Sequence, residues 1–158
     1  MKILDLAIED IIPHSRKMIF LDKLEQISDT SLLASINIDK DSYFLQGQAV
    51  PAWVGIEYMA QAVAAYAGIQ DKIKGNIVKV GLLLGTRAYQ SKVPSFPLGS
   101  KLFISVKTLY YEDVGLGSFE CAIYPDDKDV SDKENALVIA NLNVFQPNNM
   151  GDFLSGEK

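Results

Sequence analysis

One cysteine and one histidine are all that this chain of 158 residues contains of those two types. A single cysteine excludes an internal disulfide and a four-cysteine zinc site. With one histidine, a Ser-His-Asp arrangement has nowhere to form except around His14. Positive charge is also short, with 15 Lys and Arg against 20 Asp and Glu. The resulting net charge of −5 argues against a nucleic-acid partner, which usually meets a basic stripe. No uncharged apolar run reaches the roughly 18 residues of a spanning helix, so no membrane partner is expected. Asp5, Glu9 and Asp10 break the N-terminal stretch before it can become the apolar part of a secretory signal. There is no phosphate-binding glycine loop, no cluster of metal ligands and no internal repeat. These absences leave a cytoplasmic globular protein with no metal. The length suits one domain, expected over residues 1–147, with a loose polar tail over 148–158.

What is present is strongly patterned. Ile3, Leu6, Ala7 and Ile11 have the spacing of a short amphipathic helix that Pro13 ends. Residues 18–28 form a strand candidate. Leu32, Ala34, Ile36 and Ile38 alternate with Ser31, Ser35 and Asn37, so the two segments predict a hairpin. A long apolar helix then starts near Pro51 and runs to the glycines at 68 and 75. Ala60, Ala64 and Gly68 recur every four positions, which allows close approach to its backbone. Trp53, Ile56, Ala60, Val63 and Ala67 form a second apolar stripe, which predicts burial on nearly all sides. After it come strand candidates over 77–90, from 101, over 118–124 and over 136–145. Cys121 lies between Phe119 and Ile123 in strand alternation and is expected in the core. Short turns between consecutive strands imply an antiparallel sheet, and one helix against it is an α+β arrangement.

Few side chains offer chemistry. Glu57 is the one acid near the start of the apolar helix, with Gln61 one turn further on. A carboxyl group in apolar surroundings can serve as a general acid; near a helix N-terminus it can equally be a group stabilised by the helix dipole. His14 is the natural general base of the chain, or a capping residue in a loop. Arg87 could anchor a phosphate or pair with an acid.

Three segments resemble the 3-hydroxyacyl-[acyl carrier protein] dehydratases. P-A-W-V-G-I-E-Y-M-A-Q (51–61) is similar to their P-G-V-L-x-x-E-A-M-A-Q helix. I-P-H-S-R-K-M-I-F-L-D (12–22) resembles their L-P-H-R-x-P-F-L-L-V-D segment. The stretch 85–102 is similar to their A-R-F-K-R-P-V-x-P-G-D-x-L. W-V-G-I-E-Y-M-A-Q, G-x-L-L-G-T-R and the terminal Val144-Phe145-Gln146-Pro147 resemble the ApeP-like, aryl-polyene branch most.

The resemblance implies a hot-dog fold, a long antiparallel sheet wrapped around one central helix. It implies dehydration of a 3-hydroxyacyl thioester with no cofactor beyond the phosphopantetheine of acyl carrier protein. The family's helix acid maps onto Glu57. Its loop histidine falls on Gln48, which cannot take a proton at useful pH, so either His14 is the base or the reaction uses Glu57 alone. Trp53, Gly55, Gln61, Gln48 and Arg87 are candidates for substrate contact. The expected partners are acyl carrier protein and a second copy in a homodimer, with a higher oligomer or a heterodimer as variants. A basic rim of Arg16, Lys17, Arg87, Lys92 and Lys101 would receive the acidic carrier. A thioesterase on the same fold and a non-catalytic acyl-binding subunit are the alternatives.

Overall fold

The computed structural model describes residues 7–12, 18–77, 81–112 and 115–146. Its centre is one helix, α1, over Gly55–Ile73, preceded by a 3-10 turn over Ala52–Val54. Alanines and straight-chain residues favour this helix. It ends where Gly75 takes a left-handed φ of 75°.

Six strands form the main sheet: β1 Lys23–Ile27, β2 Ser31–Asn37, β4 Leu82–Ser91, β6 Lys101–Tyr111, β7 Leu116–Tyr124 and β8 Val138–Phe145. Their order across the sheet is β1-β2-β6-β7-β8-β4, and every pairing is antiparallel. The expected hairpin is β1–β2, with Leu24 opposite Ala34. Two short strands, β3 Ala49–Pro51 and β5 Ser95–Pro97, pair with each other beside the helix start.

Period two decides which side chains meet α1. Leu32, Ala34 and Ile36 of β2, Ile104 and Val106 of β6, and Phe119, Cys121 and Ile123 of β7 join Met59, Ala62 and Ile69 of the helix in one core. Cys121 is therefore buried as expected, and burial first, then Glu120, pushes its thiol pKa well up. The intervening residues Leu33, Phe103, Ala122 and Tyr124 form a second cluster on the outer face. The β7–β8 connection covers it with Ala136 and Val130. Rather than a plain turn, this connection folds as two 3-10 turns, capped by the side chains of Asp126 and Asp132.

Several expectations need correction. Between residues 7 and 12 there is a single 3-10 turn, Ile8–Asp10, in place of a longer helix. Ile11 and Ile12 are buried against α1, and the Ile11 carbonyl occupies the space beside Gly68. The strand expected over 18–28 pairs only from Lys23, because residues 18–20 bond the helix instead. The helix is not enclosed all round. Trp53 is 58% exposed, and Ile56, Ala60 and Ala64 are half-buried, because one sheet covers only part of a cylinder. The tail over 148–158, the first residues of the expected N-terminal helix and the segment 13–17 lie outside the described residues. No helix among the described residues is long and apolar enough to cross a membrane.

A Cβ added at Gly68 would stand 1.7 Å from the Ile11 carbonyl oxygen. Gly68→Ala should lower unfolding free energy by about 1–3 kcal/mol in denaturant titration, the usual cost of overpacking. An unchanged midpoint would mean that Ile11 is not seated there.

Candidate active site

Residues four apart share a helix face, so Trp53, Glu57 and Gln61 form a line along the start of α1. Glu57 is half-buried on it, whereas Gln61 is fully buried. A buried amide needs partners for both ends. Gln61 Oε1 accepts from the Phe20 N–H at 2.8 Å. Its Nε2 donates to the Met18 carbonyl and stands 3.5 Å from Glu57 Oε1 as a second, longer contact. One side chain thus ties the lead-in segment 18–20 to the turn of helix that bears the acid. The expected Glu57–Gln61 adjacency is present; within this chain the amide of Gln61 is occupied by backbone.

His14, Arg16 and Lys17 lie outside the described residues. The described chain on both sides of them is held on α1, by Ile11 against Gly68 and by Met18 on Gln61.

The start of the helix is fixed from the other side. The Ala52 N–H donates to the Pro94 carbonyl, and the Gly55 N–H to the carbonyls of Ala52 and Trp53. Gly55 is therefore not an open donor. Tyr89 of β4 donates its hydroxyl to the Ala52 carbonyl at 2.5 Å. Burial pushes the Tyr89 pKa up to about 12, so the phenol keeps its proton at neutral pH. Tyr89 was not singled out by its sequence; the only available signal was its place in the G-T-R-A-Y-Q stretch.

Aromatic rings surround this end of the helix. Tyr58 packs on Phe96 at 6.1 Å and on Phe20 at 5.9 Å, and Phe44 packs edge-on against Trp53 at 5.4 Å. Phe44 holds a left-handed φ of 64°, a costly conformation for a bulky residue. A cavity of about 220 Å³ opens between Ile19, Phe20, Tyr43 and Tyr58, with Asp22 at its wall. Burial, then Asp22, pushes the Tyr58 pKa up to about 12.

The remaining candidates are placed elsewhere. Arg87 is exposed and in register with Asn141, whose neighbours Ala140 and Leu142 face the core. Cross-strand partners share a face, so Arg87 lies on the outer side of the sheet, away from α1 in the same chain. Gln48 is exposed, and its carbonyl accepts from the Leu98 N–H. Lys92 donates to the Glu134 carbonyl, and Lys101 lies over the Phe103 ring, 4.0 Å from Glu25. These two lysines are thus engaged on the outer face and do not ring Glu57.

Gln61→Met keeps the volume but leaves the Phe20 N–H and Met18 carbonyl without their partner. The cost should be about 1–3 kcal/mol for the buried groups left unmade. Hydrogen exchange at Phe20 should accelerate along with it; unaltered exchange would mean that the amide does not hold the segment.

The model of the ApeP-like family, described as ApeP dehydratase, matches residues 6–155. The chain is similar to a solved chain of the dehydratase heterocomplex ApeI:P from Xenorhabdus doucetiae. Identity is 29%, the match covers 97% of this chain and 99% of that one, and the TM-score is 0.84. A thioesterase from Pseudomonas aeruginosa is 11% identical, with 79% and 80% covered and a TM-score of 0.54. The PaaI protein of the E. coli phenylacetic acid degradation operon is 10% identical, with 77% and 80% covered and a TM-score of 0.56. Those last two likenesses show the fold alone. No curated protein sequence matches the chain. One helix wrapped by a six-stranded antiparallel sheet is the hot-dog fold, and with its family model matched over nearly its whole length the chain belongs to the ApeP-like dehydratase family.

Proposed function

We propose that this chain removes water from a 3-hydroxyacyl thioester carried on the phosphopantetheine of acyl carrier protein, giving the trans-2-enoyl thioester. The observation that carries the reading is Glu57, an acid displayed on the open face of α1 and tied through Gln61 to the segment that follows His14.

In this reading His14 takes the proton from C2 of the substrate. Electrons of the broken C–H bond form the C2–C3 double bond, and the C3 hydroxyl leaves as water with the proton of Glu57. The thioester carbonyl lies at the helix start, where backbone N–H groups and the dipole favour the negative charge that develops on its oxygen. The described chain on both sides of His14, at Ile11 and at Met18, is anchored on α1, which supports this role. Gln48 stands where the family's loop histidine would be, which leaves His14 as the one imidazole of the chain. The mechanism needs no metal.

A second chain fits the open parts of the molecule. β4 is a 10-residue edge strand with one neighbour, and Leu83 on it is 44% exposed. The opposite edge, β1, has five residues and carries Lys23. Long apolar edges invite pairing, whereas short charged ones resist it. Pairing through β4 would bring a second copy, or a different hot-dog chain, beside the half-buried Ile56, Ala60 and Ala64. The neighbouring ApeI:P structure is of a heterocomplex, and this favours a second reading in which the partner supplies the chemistry and this chain binds the acyl group.

Purified protein and its partner, given a carrier-linked 3-hydroxyacyl chain, should form the enoyl thioester without releasing thiol. Glu57→Gln and His14→Ala should each slow turnover by at least about a hundredfold, the usual contribution of one acid or base. Full activity in Glu57→Gln would overturn the proposal. Full activity in His14→Ala would remove only the base, and release of free thiol would select a thioesterase.

A further inference from the structure

Two positions converge on one hydroxyl. β4 shifts its register against β8 twice, between Leu83 and Gly85 and again between Arg87 and Gln90. Inside the second of these bulges Ala88 takes a left-handed φ of 52°, which an alanine adopts only at an energetic cost. The bulge turns Tyr89 toward the helix start, where it donates to the Ala52 carbonyl. The second position is Gly55. A Cβ there would stand 2.6 Å from the Tyr89 hydroxyl, with the Ile123 Cδ1 at 3.0 Å and the Phe96 Cζ at 3.5 Å. The phenol thus fills the volume that a side chain at residue 55 would take.

The Ala52 carbonyl accepts from both Tyr89 and the Gly55 N–H. It belongs to the same rigid peptide unit as the Trp53 N–H, and in a trans peptide the two point in opposite directions. Anchoring the oxygen inward on Tyr89 therefore aims the Trp53 N–H outward. That N–H lies in the first turn, where donors lack a helical acceptor. Two hydrogen bonds accepted by the carbonyl also polarise the unit and make its N–H a stronger donor. Trp53 is the most exposed large residue of the helix start, and it shares a face with Glu57.

We infer that Tyr89 is a positioning residue, which aims the Ala52–Trp53 peptide so that the Trp53 N–H binds the thioester carbonyl oxygen of the substrate. The inference rests on the dehydratase reading above. Tyr89 touches no reacting atom; it acts through one peptide unit.

The test uses the full chain with its partner and a carrier-linked 3-hydroxyacyl substrate. Tyr89→Phe removes the donor and keeps the ring. It should lower kcat about tenfold or more while KM stays within about twofold, as expected when a transition-state contact is misaimed. Exchange of the Gly55 amide should accelerate, with exchange in the sheet core and the thermal midpoint close to wild type. Gly55→Ala keeps the phenol but displaces it and should show the same split of kcat from KM. Unchanged kcat in Tyr89→Phe overturns the inference and leaves the dehydratase reading intact. So does a fall in kcat that comes with faster exchange throughout the core, since that is a stability effect. Absence of enoyl product from the wild type overturns both, the inference falling with the reading that it serves.

Discussion

A helix wrapped by a sheet has almost no water for its polar side chains, and the amide of Gln61 is where this molecule resolves that constraint. The residue is fully buried, yet its oxygen takes the Phe20 N–H and its nitrogen serves the Met18 carbonyl and Glu57. Left unmade, each buried bond would cost about 1–3 kcal/mol. Satisfied, the set fixes where residues 18–20 cross α1 and ties that crossing to the turn of helix that bears Glu57. The acid is therefore part of the network that makes the buried helix tolerable.

The rest of the helix follows the same division between a packed side and an open one. At its far end Gly68 receives the Ile11 carbonyl, while buried Asp71 accepts from Gln146, which in turn accepts from Tyr111. Gln146, part of the Val-Phe-Gln-Pro motif, thus closes a polar cluster at the far end of the helix, well away from Glu57. At the near end Tyr89, Phe96 and Ile123 press on Gly55 and leave Trp53 outside. Packing forces the chemistry-bearing groups onto the side that the sheet does not cover.

Much of this was legible in the residue pattern. The alternation of core-facing residues in β2, β6 and β7 placed Cys121 correctly, although Leu33, Phe103, Ala122 and Tyr124 make the outer face apolar as well. The four-residue spacing of Ala60, Ala64 and Gly68 announced a close approach, and Gly68 has one. Glu57 and Gln61, four apart, share a face as expected. Other features depend on partners distant in sequence. Residues 18–20 look like strand but are held by Gln61, about forty positions away, so pairing starts only at Lys23. β3 and β5 are three residues long and proline-bearing, too short for any periodicity. Trp53 belongs to an apolar stripe, and nothing local says that the sheet stops short of it. The face taken by Arg87 follows from its register with β8, which composition does not contain. Tyr89 was invisible for the same reason, since its role comes from a bulge and from the missing side chain of Gly55.

The proposed chemistry is that the open face of α1, with Glu57 on it, removes water from an acyl thioester and leaves the thioester whole. Intact-mass spectrometry of the carrier with its tethered 3-hydroxyacyl chain tests this most directly. Incubation with the protein and its partner should shift the loaded carrier down by the mass of one water, with the acyl group still attached. A carrier that loses the entire acyl group, or one whose mass does not change while the protein still binds it, would contradict the claim.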